Sequence, residues 1–169
     1  MSSAPSRSLT MEEALTLLEA TPPRLAALTD SVAPAQLRAA PTFDEWSAND
    51  VLAHLRACAD MWGKYIMAML AEDTPTLRAV NPRAWIERTN YRELDFRPSL
   101  RAFTAQRDEL LAVLKPLPAE GWSRSATVTG AGKPLTLTVL SYAQRLARYE
   151  RPHIKQIERI VTALNAGHE

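Results

Sequence analysis

The sequence predicts an all-α domain: a four-helix bundle with long crossover connections and a short extra helix. Three observations carry the prediction. Four long segments place apolar residues three and four positions apart, the repeat of one helix face. Only 5 of the 169 residues are glycine, and uninterrupted β-branched runs are few. The first two segments also open on recognisable N-caps. Amphipathic helices of this kind are best satisfied by burying their stripes against one another. A chain of this length, 46% hydrophobic, is long enough for one such core.

Residues 1–8 are small and polar and are expected to form a disordered tail, with the domain over 9–165 and a C-terminal tail at 166–169. The first helix starts at the capping-box pattern Thr10-x-x-Glu13. Leu15, Leu18, Leu25 and Leu28 follow, interrupted by Pro22 and Pro23, so a kink or two short helices are expected. Residues 31–46 then connect to the second helix. That helix is expected over 48–71, with Ser47 as N-cap, Asp50 at N3 and Trp46 stapled on Val51. Its apolar face reads Leu52, Leu55, Ala59, Trp62, Ile66, Met69, and its Trp and Met residues are expected in the core.

A long connection, 72–97, contains a short helix over 82–93 opened by Pro82. The third long helix is expected over 98–114, with the stripe Leu100, Phe103, Arg107, Leu110, Leu114, and is ended by Pro116 and Pro118. Residues 121–138 are the least helical, and Gly130 and Gly132 flanked by alternating apolar residues suggest a hairpin or an extended loop. The last helix is expected over 139–165 on the face Val139, Ala143, Leu146, Glu150, His153, Ile157, Ile160, Leu164. Pro152 inside it removes one backbone hydrogen bond and predicts a bend just before His153.

Charge excludes some classes of partner. Lys and Arg total 20 against 19 Asp and Glu, a net +1, which supplies no electrostatic reason for nucleic acid or an anionic membrane. No apolar run approaches the roughly 20 residues that span a bilayer. The N-terminal residues MSSAPSRSLT show no signal-peptide pattern, and Cys58 is the single cysteine, so a cytoplasmic location is expected.

The last helix carries an anomaly: Glu150 and His153 occupy two successive positions of an otherwise apolar stripe. Such groups need partners when buried. Their i, i+3 spacing puts both on one face, within reach of one ligand, and is also a helical metal-ligand spacing. If both face the core, Glu150→Leu is expected to be tolerated. His54 lies beside the stripe of the second helix, so two histidines and a carboxylate from two helices compose a candidate three-ligand metal site. The plainer reading makes the histidines satisfied core or edge residues and pairs Glu150 with an arginine. Cys58, one turn after His54, reads as a small buried hydrophobe rather than a nucleophile. Tyr149 is placed to donate a hydrogen bond into the site. Gly130-Ala131-Gly132-Lys133 lacks phosphate-loop spacing. Arg145, Arg148, Arg151 and Lys155 read as a solvated face, and His168 as part of a disordered end.

Two segments carry a family resemblance. Trp46-Ser47 followed by Val51-Leu52-Ala53-His54-Leu55 resembles the Trp-Ser-x-x-x-Val-Leu-x-His-Leu signature of DinB-like (YfiT-like) four-helix bundles. His153-Ile154-Lys155-Gln156-Ile157 resembles their closing His-x-x-Gln-Ile, and Leu135 to Leu140 their entry into the last helix. The likeness spans roughly residues 10–164. It implies a divalent metal, often Ni or Zn, on three histidines, and a thiol-dependent transferase or isomerase as one class of activity. His54 matches the first of those histidines and His153 the third. Tyr149 stands where the second is expected.

Three outcomes are open at Tyr149: a metal-bound phenolate, replacement of the ligand by Glu150, or a metal-free hydrogen-bonded network of Tyr149, His54, Glu150 and His153. The last is preferred. The functional expectation is correspondingly double. One reading is a metal-dependent, thiol-linked transferase or hydrolase with Glu150 as general base. The other is a non-catalytic bundle binding a small ligand or a protein partner. A homodimer through bundle helices is compatible with either.

Overall fold

The computed structural model describes residues 7–167, so the expectations for residues 1–6 and for His168 lie outside the described residues. Four long helices form the bundle: α1 (Met11–Thr29), α3 (Ala48–Ala71), α5 (Phe96–Leu114) and α7 (Val139–Ala166). Between them lie α2 (Pro34–Arg38), β1 (Thr76–Arg78), α4 (Pro82–Ile86), α6 (Ala119–Trp122), β2 (Ser125–Thr129) and β3 (Leu135–Thr138). The long helices touch in a ring: α1 meets α5 and α7, and α3 meets the same two. Among the described residues no helix is long and apolar enough to cross a membrane.

The helix starts follow local chemistry. Capping boxes close on Thr10 with Glu13 and on Ser47 with Asp50, each satisfying amides that have no partner within the helix. Thr138 with Ser141 does the same for α7. Arg148 donates to the Arg7 carbonyl at 2.8 Å, which ties the chain before α1 to α7.

The connections depart from expectation where tertiary pairing decides. A short helix, α2, occupies part of 31–46, α4 stops at Ile86, and α6 precedes the hairpin. The hairpin itself forms, with β2 and β3 antiparallel and both Gly130 and Gly132 at positive φ in its turn. It gains a third strand, β1, parallel to β2, with Leu77 opposite Val128. A three-residue strand has no signature of its own; its pairing with distant β2 creates it. Met67 is a second correction: it is 48% exposed, while Met61, Trp62 and Met69 are buried.

The core has two apolar halves separated by a polar layer. One half gathers Leu18, Trp62, Leu111 and Leu146; the other gathers Leu25, Leu52, Phe103 and Ile157. Between them on three helices sit Thr21, Arg107 and Glu150, all at 3% exposure or less. Arg107 grips Glu150 with both terminal nitrogens: Nη2 bonds Oε1, and Nη1 donates to Oε2 at 3.1 Å. Thr21 Oγ1 donates to the same Oε2 at 2.9 Å.

This layer explains why α1 is one helix and not two. Pro22 has no N–H, so the carbonyl of Leu18 loses its helical partner. Arg107 Nη1 donates to that carbonyl at 2.8 Å, and α1 runs unbroken through Pro22 and Pro23. Helix α7 likewise runs unbroken through Pro152, which lies on its exposed face.

Candidate functional site

Helices α3 and α7 run side by side, and His54 on α3 faces Tyr149 and His153 on α7. The i, i+4 spacing stacks the last two on one helix face. Their rings lie 5.0 Å apart, and each lies 5.0–5.6 Å from His54. Trp62 holds the tyrosine ring edge-on at 5.1 Å and Trp46 stands 5.2 Å from His54. The three rings open into a cleft of about 510 Å³, a volume suited to a small molecule.

His54 is 3% exposed, and its Nε2 is hydrogen-bonded to the Tyr149 hydroxyl at 2.6 Å. Its Nδ1 is buried with no partner among the described residues. Burial first, then the charges of His153, Arg83 and Arg92, pushes its pKa down to about 4, so the ring is neutral at pH 7. A neutral imidazole carries one N–H. Either tautomer leaves the buried Nδ1 unmatched, at a cost of about 1–3 kcal/mol. With the proton on Nε2, His54 donates to the Tyr149 oxygen and the tyrosine's own O–H is left for another acceptor; with it on Nδ1, that O–H donates to Nε2. Burial raises the Tyr149 pKa above the usual phenol value, so that O–H stays intact.

His153 complements it. Its Nδ1 lies 3.0 Å from Gln156 Oε1, and an amide oxygen only accepts, so Nδ1 is the donor. In the neutral ring Nε2 then keeps its lone pair for the cleft. With His54 protonated on Nε2, the site presents one donor, Tyr149 O–H, beside one acceptor, His153 Nε2.

Glu150 is not part of it. The expectation that Glu150 and His153 reach one ligand is corrected: the carboxylate is held in the buried polar layer by Arg107, and the cleft lining does not include it. Adjacent positions on a helix point about 100° apart, which sends Tyr149 to the cleft and Glu150 to the core. The expected tolerance of Glu150→Leu is corrected for the same reason, because its loss strands a buried guanidinium. Cys58 is fully buried, with Sγ 3.8 Å from His54 Nε2. Burial, then the charge of Glu150, pushes its thiol up to about 12, which is the behaviour of a packing residue.

The donor set does not fit a three-histidine metal centre. It offers two imidazoles and a protonated phenol, and that phenol is already hydrogen-bonded to one of the imidazoles. Among the described residues no three His, Cys, Asp or Glu side chains are grouped to hold a metal ion.

The cleft also has walls that sequence patterns did not single out. Arg83 from α4 lies over the Trp46 ring at 5.4 Å, and Arg159 from α7 and Asp44 and Glu45 from the loop before α3 complete the lining. Gln156 was legible through its motif. Arg83 carried no signal, because only the fold of the crossover brings α4 to the cleft.

Comparison with known proteins agrees with this architecture. The sequence model of the DinB superfamily matches residues 17–157. No curated protein sequence matches the chain. YfiT from Bacillus subtilis, a probable metal-dependent hydrolase with an unusual four-helix bundle topology, superposes with a TM-score of 0.74 at 21% identity, over 94% of this chain and 91% of that one. TT2238, a four-helix bundle protein, gives 0.59 at 20% identity over 89% and 99%. A mycothiol-dependent maleylpyruvate isomerase gives 0.62 at 17% identity, over 86% of this chain and 60% of that one. Identities this low show a shared fold.

Proposed function

The chain belongs to the DinB superfamily, and on that premise we propose that the α3–α7 cleft is a small-molecule site of the thiol-linked transferase or hydrolase kind, working by hydrogen bonding and proton transfer without a three-histidine metal centre. The observation that carries this reading is the 2.6 Å bond between His54 and Tyr149. It occupies the two atoms that a metal would need and, with the His54 proton on Nε2, leaves the tyrosine O–H for the ligand.

The chemistry follows from the two free atoms. His153 Nε2 accepts the proton of a thiol or water as its sulfur or oxygen bonds to a carbonyl carbon; the C=O π pair moves onto the oxygen, and when it returns the bond to the leaving group breaks and His153 passes its proton to that group. Tyr149 donates to the oxygen on which negative charge develops. Gln156 positions His153, and His54 positions Tyr149. Two structural neighbours, a probable metal-dependent hydrolase and a mycothiol-dependent isomerase, support the reaction class.

Metal analysis of protein purified without a His-tag or chelator tests the reading, alongside turnover of thiol and ester substrates by Tyr149→Phe and His153→Gln. Less than about a tenth of an equivalent of Zn or Ni, no activation by either ion, and turnover lost in both variants are expected. Stoichiometric metal overturns the metal-free reading. Binding at the cleft without turnover of any substrate favours a non-catalytic ligand-binding bundle.

A further inference from the structure

We infer that the ligand of this cleft is a monoanion, its carboxylate received by Arg83 and the Tyr149 hydroxyl. The inference rests on the reading of the cleft above and adds the charge of its occupant. Three observations converge on it. First, with His54 protonated on Nε2, the Tyr149 O–H meets only the Cys58 thiol, whose neutral sulfur is a weak acceptor that a carboxylate would displace. Second, Arg83 and Arg159 line the cleft with no hydrogen-bond or ion-pair partner for either guanidinium among the described residues. The contrast with Arg38, Arg92 and Arg107, all paired to carboxylates, is direct. Third, the Arg83 guanidinium lies over the Trp46 ring at 5.4 Å, a cation–π contact that holds its charge at the cleft, and a guanidinium can bind a carboxylate with two parallel bonds. The Arg83 charge also reaches His54, where it helps hold that ring neutral.

The same lining disfavours a second negative charge on the ligand, because Asp44 and Glu45 match the two arginines in number. Asp44 and Glu45 are exposed on the cleft wall. Glu45 accepts from Thr42 Oγ1 at 2.9 Å, and Asp44 has no cation partner among the described residues, so a second anionic group would meet like charge.

The test uses the full chain and three probes: benzoate, its neutral isostere benzamide, and the dianion phthalate. Binding is followed by backbone amide NMR shifts. Benzoate is expected to shift Trp46, His54 and Tyr149 and to bind about tenfold more tightly than benzamide, with phthalate no better than benzoate. Arg83→Gln is expected to remove that preference, with benzoate losing much more affinity than benzamide. Arg88→Gln, an exposed arginine outside the lining, is the charge control and should leave all three affinities alone. Equal binding of benzoate and benzamide, or a benzoate preference that survives Arg83→Gln, overturns the inference and leaves the cleft reading standing. Binding of neither probe at millimolar concentration also overturns it. Shifts confined to other surfaces, with none at Trp46, His54 or Tyr149, overturn both.

Discussion

Replacing Glu150 by leucine should destabilise the protein severely, although leucine would complete the apolar stripe of α7. The reason is Arg107. Its guanidinium is 1% exposed, and the carboxylate of Glu150 is its only counter-ion among the described residues. Removing one partner of a buried pair leaves an uncompensated charge, at a cost of about 3–5 kcal/mol. For a domain of this size each kcal/mol lowers the melting temperature by about 2–4 °C, so the expected loss is roughly 6–20 °C. The double variant Arg107→Leu/Glu150→Leu removes both charges, and an apolar replacement of an entire pair is often neutral. Here it also strips the Leu18 carbonyl of its donor, because Pro22 supplies none. That residual cost is about 1–3 kcal/mol. The assay is a double-mutant cycle by urea unfolding, with thermal melts followed by circular dichroism. The double variant should be more stable than Glu150→Leu alone. The argument fails if Glu150→Leu unfolds within about 1 kcal/mol of the parent, or if the double variant is no more stable than the single.

Two further outcomes concern the cleft's neighbours. The His54 pKa is lower folded, at about 4, than unfolded, at 6.5, so its contribution to stability is complete above pH 6.5 and is lost as pH falls towards 4. The loss is about 3 kcal/mol at most. Urea unfolding across that window should show a steeper decline for the parent than for His54→Phe, and parallel curves would refute the assignment. Cys58, buried and with its thiol held near 12, should resist Ellman's reagent in the native state and react once the chain is unfolded in denaturant. Native labelling within minutes would contradict its burial.

Much of the fold was legible because its determinants are local. A capping box needs residues three apart, and a helix face needs apolar residues three and four apart. Thr10 with Glu13, Ser47 with Asp50 and the stripes of α3, α5 and α7 meet those conditions without reference to any other segment. The site was legible to the same depth. His54, Tyr149 and His153 stand out as polar residues at or beside apolar faces, and two helices packed side by side bring them together.

What escaped the sequence depends on which distant group arrives. Two adjacent prolines ordinarily break a helix, and only Arg107, some ninety positions away, takes over the carbonyl that Pro22 leaves bare. Glu150 and His153 share a stripe on paper, yet the bundle turns one to a buried arginine and the other to an open cleft. Strand β1 exists because β2 pairs with it, and Arg83 faces the site because a crossover of irregular backbone carries it there. The sequence by itself determined the four helices, the caps of the first two and the three rings between α3 and α7. Only the tertiary structure decided the partner of the buried Glu150, the desolvation of His54 and the charges lining the cleft. Those depend on desolvation and on contacts between segments far apart in the chain, which no local spacing encodes.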